Sequence, residues 1–99
     1  MVEMKLSEIT VKDLISYARE DEEDQEVIKT FNTILLASKA FIKNYTGLTL
    51  EEIDQKEDLI IVLMALSNEM YENRMFTIEN DKVNPVIKAL LDMHSVNLL

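Results

Sequence analysis

Residues 59–66 read Leu59-Ile60-Ile61-Val62-Leu63-Met64-Ala65-Leu66, and the chain continues Ser67-Asn68-Glu69-Met70-Tyr71-Glu72-Asn73-Arg74. Eight consecutive apolar residues leave no polar face for two helical turns. A helix that is apolar all round has to be covered on more than one side. The run is too short to cross a bilayer, which takes roughly 20 apolar residues. It is too long for a typical buried strand, and it runs into strong helix formers. The reading is therefore the central helix of a packed bundle.

The bulk composition points the same way. One Gly and one Pro in 99 residues leave little for the tight turns of an all-β fold, and Met, Leu, Glu and Lys are good helix formers. At 47% hydrophobic and 29% charged the chain is globular in composition, and its length suits one domain over residues 1–99 with a modest core. Nineteen acidic against ten basic residues give a net charge of −9. That balance argues against sequence-specific binding of DNA or RNA, which needs a basic footprint, and against docking on an anionic membrane. There is no cysteine, hence no disulfide framework and no thiolate metal site. Met1-Val2-Glu3-Met4-Lys5 lacks the apolar core of a signal peptide, so the expected place of assembly is the cytoplasm.

Helix ends can be placed by their capping residues. Thr10 is a candidate N-cap for a short helix over about 11–19, with Val11, Leu14, Ile15 and Ala18 on one face. Asp21 is a candidate N-cap for a long second helix, with Glu22, Glu23, Asp24 and Glu26 where the helix dipole favours negative charge. Val27, Ile28, Phe31, Ile34, Leu35, Ser38, Phe41, Ile42 and Tyr45 follow at helical spacing, and Gly47 stops the helix. Such a helix, about 37 Å long, spans or overhangs a domain of this size, so an elongated molecule is expected. Thr49-Leu50-Glu51-Glu52 reads as a capping box for one turn. The third main helix is expected from about Lys56 to Met75, and residues 76–84 as a loop or small hairpin. Asn84-Pro85 opens the last helix, which carries Val86, Ile87, Leu90 and Leu91. The fold class is all-α: a small bundle of about four helices around a long antiparallel hairpin.

Chemistry-bearing patterns are sparse. The acidic run 20–24 with Glu26 has no calcium-ligand spacing and no Gly to turn a loop, so it reads as a solvated helix start. Glu23-x-x-Glu26 and Glu69-x-x-Glu72 resemble paired magnesium motifs of small all-α nucleotide pyrophosphatases. In a hairpin folded near residue 50, however, Glu69 and Glu72 face residues 28–33, an offset of about 8 Å along the helix. No cofactor or metal is expected. His94 is the only histidine and has no partner at a telling spacing, so it reads as a rim residue. No serine lies in a nucleophile motif, and a single Gly excludes a phosphate-cradling loop. The chain is read as a non-enzyme.

Four stretches carry a resemblance. They are Ser7-Glu8-Ile9-Thr10-Val11-Lys12-Asp13-Leu14, Ala40-Phe41-Ile42-Lys43-Asn44-Tyr45-Thr46-Gly47, Tyr71-Glu72-Asn73-Arg74 at the end of the apolar helix, and Asn84-Pro85-Val86-Ile87-Lys88-Ala89-Leu90-Leu91. In this order, and over nearly the whole chain, they resemble the small all-helical phage head–tail connector family, also called head-completion or adaptor proteins. The chain departs from that pattern at Met70, where similar members often have an aromatic, and at Glu79-Asn80-Asp81, where they have a Gly-containing loop. The resemblance implies a virion or prophage protein that forms a ring beneath the portal, extends the DNA channel and docks a further connector or tail protein. A ring templated by its partner need not form alone, so the isolated chain is expected to be monomeric. The alternative is a small acidic helical interaction module of the cytoplasm, such as a regulator or antitoxin.

Individual residues carry expectations of their own. Tyr45 and Tyr71 should be mostly buried, with hydroxyl partners. Arg74 should neutralise the last carbonyls of its helix. Tyr71, Glu72, Asn73 and Arg74 read first as a helix terminus and second as a subunit contact. With Phe76, Ile78, Asp81 and Lys82 of the following loop they are the candidate partner or subunit contacts.

Overall fold

The computed structural model describes residues 5–74 and 83–95. They form a 3-10 turn at Leu6–Glu8 and five helices: α1 (Val11–Ala18), α2 (Gln25–Thr46), α3 (Leu50–Asp54), α4 (Asp58–Asn73) and α5 (Pro85–His94). No strand occurs among the described residues. The loop expected at 76–84 lies outside them up to residue 82.

Most boundaries follow from side chains that satisfy otherwise unpaired backbone groups. Thr10 Oγ1 accepts the Asp13 N–H at 3.3 Å, and the Asp13 carboxylate accepts the Thr10 N–H at 2.8 Å. Thr49 and Glu52 repeat this reciprocal cap at the start of α3, at 3.2 and 3.0 Å. Asn84 Oδ1 accepts the Val86 N–H at 2.9 Å, with Pro85 in the first turn of α5. Gly47 ends α2 in a left-handed conformation (φ 72°), its N–H reaching the Lys43 carbonyl at 2.9 Å.

The start of α2 corrects the expectation. Its N-cap is Asp24, whose Oδ1 accepts the N–H groups of Glu26 (2.9 Å) and Val27 (3.4 Å). Asp21 instead accepts the Glu23 N–H at 2.9 Å, folding the acidic run into a local turn ahead of the helix. Both aspartates suit a cap. Asp24 is the one from which the first buried residue of the helix, Val27, is three residues away.

The core lies between α2 and α4. Leu59, Val62, Leu63, Leu66 and Met70 of α4 and Phe31, Ile34 and Ile42 of α2 are fully buried. The two helices run antiparallel: Phe31 stacks on Tyr71, with ring centroids 4.6 Å apart, and Ser38 meets Ser67. Ser67 Oγ donates to Ser38 Oγ (3.1 Å), which donates to Met70 Sδ (3.5 Å), so the polar pair inside the hairpin is satisfied. The central run is covered by α1, α2, α5 and the 3-10 turn, but not all round. Ile61 is 62% exposed, and α4 keeps a wet side through Ile61 and Glu72.

Smaller elements close the ends. Asp54 of α3 accepts the Ser7 N–H (3.0 Å) and hydroxyl (2.7 Å), tying the 3-10 turn down. The Ser7 hydroxyl, then its amide, hold the Asp54 carboxyl below the usual carboxylate range. α5 sits in the groove between the end of α2 and the start of α4 through Ile87 and Leu91. The radius of gyration is 13.2 Å, close to the value of about 13 Å for a compact chain of 100 residues. The extents are 44 × 33 × 19 Å, a flattened body that α2, about 33 Å long, spans without overhanging.

Candidate functional site

The C-terminal end of α4 meets the N-terminal end of α2 because the hairpin is antiparallel. The register that puts Tyr71 over Phe31 also carries Arg74 to the acidic start of α2. Glu20, Asp24, Glu26, Val27, Thr30, Tyr71 and Arg74 line an open cleft of about 450 Å³ there. Its inner wall is the half-buried Tyr71 ring, inclined 26° to Phe31, and the Arg74 guanidinium lies 4.2 Å from the Tyr71 ring centre. The three side chains form a stack, Phe31–Tyr71–Arg74, that runs from the core to the surface.

Arg74 therefore does something other than expected. Its backbone, not its guanidinium, serves the helix end: it is left-handed (φ 54°), and its N–H points at the carbonyls of Met70 and Tyr71. Its side chain folds back onto the ring as a cation–π contact. Among the described residues the Tyr71 hydroxyl has no hydrogen-bond partner, whereas the expected partner for Tyr45 is present. Asn73 donates to the Glu69 carbonyl (2.9 Å), and Glu72 is exposed and accepts from Asn68 (3.4 Å). Of the sequence candidates, Tyr71 and Arg74 line the cleft, while Glu72 and Asn73 do not. Phe76, Ile78, Asp81 and Lys82 lie outside the described residues.

The carboxylates of the cleft were legible only as a charged run. Their convergence on Tyr71 and Arg74 needed the hairpin register, which the sum of positions about residue 50 would have provided. Among the described residues no group of three or more His, Asp or Glu side chains is placed to hold a metal ion. The arrangement offers an aromatic wall, three acidic acceptors and one guanidinium.

A second polar region fixes α5. The Tyr45 hydroxyl donates to Asp92 Oδ1 at 2.6 Å, and Lys88 Nζ donates to Asp92 Oδ2 (3.1 Å) and to the Tyr45 oxygen (3.2 Å). The Tyr45 hydrogen bond, then that of Lys88, hold the Asp92 carboxyl below its ordinary value. Tyr45 and Asp92 likewise hold the Lys88 ammonium above its own. On the other flank His94 Nε2 lies 2.8 and 2.7 Å from the two Asp58 oxygens. A carboxylate accepts, so this contact places a proton on Nε2. His94 thus has the acidic partner that sequence spacing did not reveal. Asp58 opens α4 and His94 closes α5, and only tertiary packing brings them together.

No family model, curated protein or solved structure matches the chain.

Proposed function

We propose that this chain is a non-catalytic structural adaptor of a tailed phage or prophage particle. It takes its place in a ring beneath the portal, extends the DNA channel and docks the next connector or tail protein. The observation that carries the reading is the ordered set of four connector-like stretches on an all-helical chain. Each stretch falls on a helix terminus: the start of α1, the end of α2, the end of α4 and the start of α5. The charge supports the same reading. A net −9 suits a conduit wall, because a lumen that repels phosphates does not grip passing DNA. Subunits that meet through two different flanks close into a ring when the rotation closes.

The test is direct. Purified chain is mixed with portal particles from the same gene cluster and imaged. A ring of added density at the portal's foot is the expected result. No association at any concentration contradicts the proposal and favours the acidic interaction module.

A further inference from the structure

The outer faces of the two hairpin helices carry opposite charge. From Val27 to Thr46, α2 has Lys29, Lys39 and Lys43 and no acid, although the chain as a whole carries −9. Lys29, Leu36 and Lys43 follow at seven-residue spacing and share one line along the helix, opposite the buried Phe31, Ser38 and Ile42. Both lysines are exposed, and Leu36 between them is 73% exposed. α4 bears the complementary pattern. Glu57, Ile61, Asn68 and Glu72 share the face opposite the buried Leu59, Leu66 and Met70. Both glutamates are exposed, and Ile61 is 62% exposed. The ion pairs of the described residues are Lys12–Glu22, Lys88–Asp92 and His94–Asp58, so Lys29, Lys43, Glu57 and Glu72 are unpaired among them. The two stripes also match in length: Lys29 to Lys43 spans about 21 Å and Glu57 to Glu72 about 22 Å.

We infer that the outer face of α2 docks on the outer face of α4 of a second copy, with Lys29 and Lys43 against Glu57 and Glu72 and Leu36 against Ile61. Charge complementarity selects this occupant. The chain itself supplies an acid–apolar–acid stripe of the length that the Lys–Leu–Lys stripe needs, and both helices carry the same sign at their two ends, so all four charges are paired in one contact. A nucleic acid is a poor occupant, because the lysines are about 21 Å apart with a leucine between them and follow directly on the acidic run 20–26. The two faces are different surfaces of the chain, so each copy gives one and receives on the other, which is the head-to-tail contact a closed ring requires. The net −9 does not forbid it: charges more than about 8 Å apart are largely screened at physiological salt, and the groups that meet decide the contact. The stripe is small. A helix face about 21 Å long and 10 Å wide covers roughly 200 Å², against about 800 Å² on each partner of a stable interface. The contact is therefore weak between free copies and adds up when a template lines them up.

The inference rests on the adaptor reading for its ring, and it is tested on the chain alone so that the two fail separately. Sedimentation velocity follows the full chain up to millimolar concentration for the wild type, Leu36→Asp, the pair Lys29→Glu with Lys43→Glu, and the pair Glu57→Lys with Glu72→Lys. Circular dichroism checks that each variant is folded. The expected result is concentration-dependent association of the wild type, weakened at least tenfold by Leu36→Asp and lost in either charge-reversed chain. An equimolar mixture of the two reversed chains should associate again, since each face then meets its opposite. The second reversed chain is less acidic than the wild type, so its loss of association cannot come from general repulsion. A measurement without variants covers misfolding: carbodiimide coupling in a mixture of isotope-labelled and unlabelled wild type should join Lys29 or Lys43 to Glu57 or Glu72 of another copy. Association that survives either reversal, or that mixing does not restore, overturns the inference. So do intermolecular couplings that fall only elsewhere. A wild type that stays monomeric at every concentration also overturns it and leaves the adaptor standing, with each copy held by the portal alone. Failure to bind portal particles, with the contact between copies intact, overturns the adaptor instead.

Discussion

Arg19 and Arg74 both hold left-handed backbone, φ 60° and 54°, at the ends of α1 and α4. A side chain with a Cβ is held there at about 1–2 kcal/mol, and glycine removes that strain at the expense of a freer unfolded chain. Arg19→Gly should therefore stabilise the protein by roughly 0.5–1 kcal/mol, read as a higher urea midpoint at unchanged slope. Arg74→Gly removes the same strain but also the stack on Tyr71, which is worth about 0.5–1 kcal/mol at an exposed site, so its midpoint should stay near that of the wild type. Equal gains at both positions would show that the Arg74–Tyr71 contact contributes nothing. A similar contrast holds inside the hairpin. Ser38→Ala or Ser67→Ala leaves one buried hydroxyl with fewer partners and should lose about 1 kcal/mol. The double substitution removes both and should lose less than the two single losses together, which a double-mutant cycle measures.

At the scale of elements, Asp24 and Asp21 decide where α2 begins. Asp24→Ala should lose about 1 kcal/mol, the usual worth of an N-cap, while Asp21→Ala should stay within about 0.5 kcal/mol of the wild type, as at an ordinary surface position. The reverse order would move the start of the helix. α5 carries a pH signature. The folded-state value of Asp92 lies below its unfolded one, so its contribution is complete above about pH 4 and is lost as the pH falls through the lower folded value. The value of Lys88 is raised, so its contribution is complete below about pH 10 and is lost as the pH rises through the higher folded value. Tyr45→Phe removes the leading cause of both shifts. The stability gap between wild type and Tyr45→Phe, clear by urea denaturation at neutral pH, should narrow in acid; a gap of constant size would remove Tyr45 from the clamp. Most of these elements were legible in the chain. Thr10, Gly47, Thr49 and Asn84 are caps whose partners lie within four residues, so local sequence suffices. Asp24 was obscured because Asp21 offers the same chemistry three residues earlier. The His94–Asp58 and Tyr45–Asp92 pairs span 36 and 47 residues, and no local pattern records such a meeting.

On the scale of the whole molecule, a flat helical slab of 44 × 33 × 19 Å carries −9 and sets stripes of opposite charge on the outer faces of α2 and α4. Helical class and hairpin were readable because residues 59–66 admit so few alternatives. The cleft at the end of the hairpin was readable only in part. Tyr71 and Arg74 stand out in the chain, but the acids opposite them depend on how α2 and α4 are set against each other. The outer stripe of α4 went unnoticed because Ile61 reads as core within the apolar run, and only burial sets it apart. Everything in this account, the adaptor reading included, depends on α4 being the buried spine of the α2–α4 hairpin. Native-state hydrogen exchange tests this most directly. The account predicts that amides of residues 62–70 and 31–42 exchange together and slowest, only through global unfolding. Fast exchange across residues 62–70, with protection concentrated elsewhere, would contradict it.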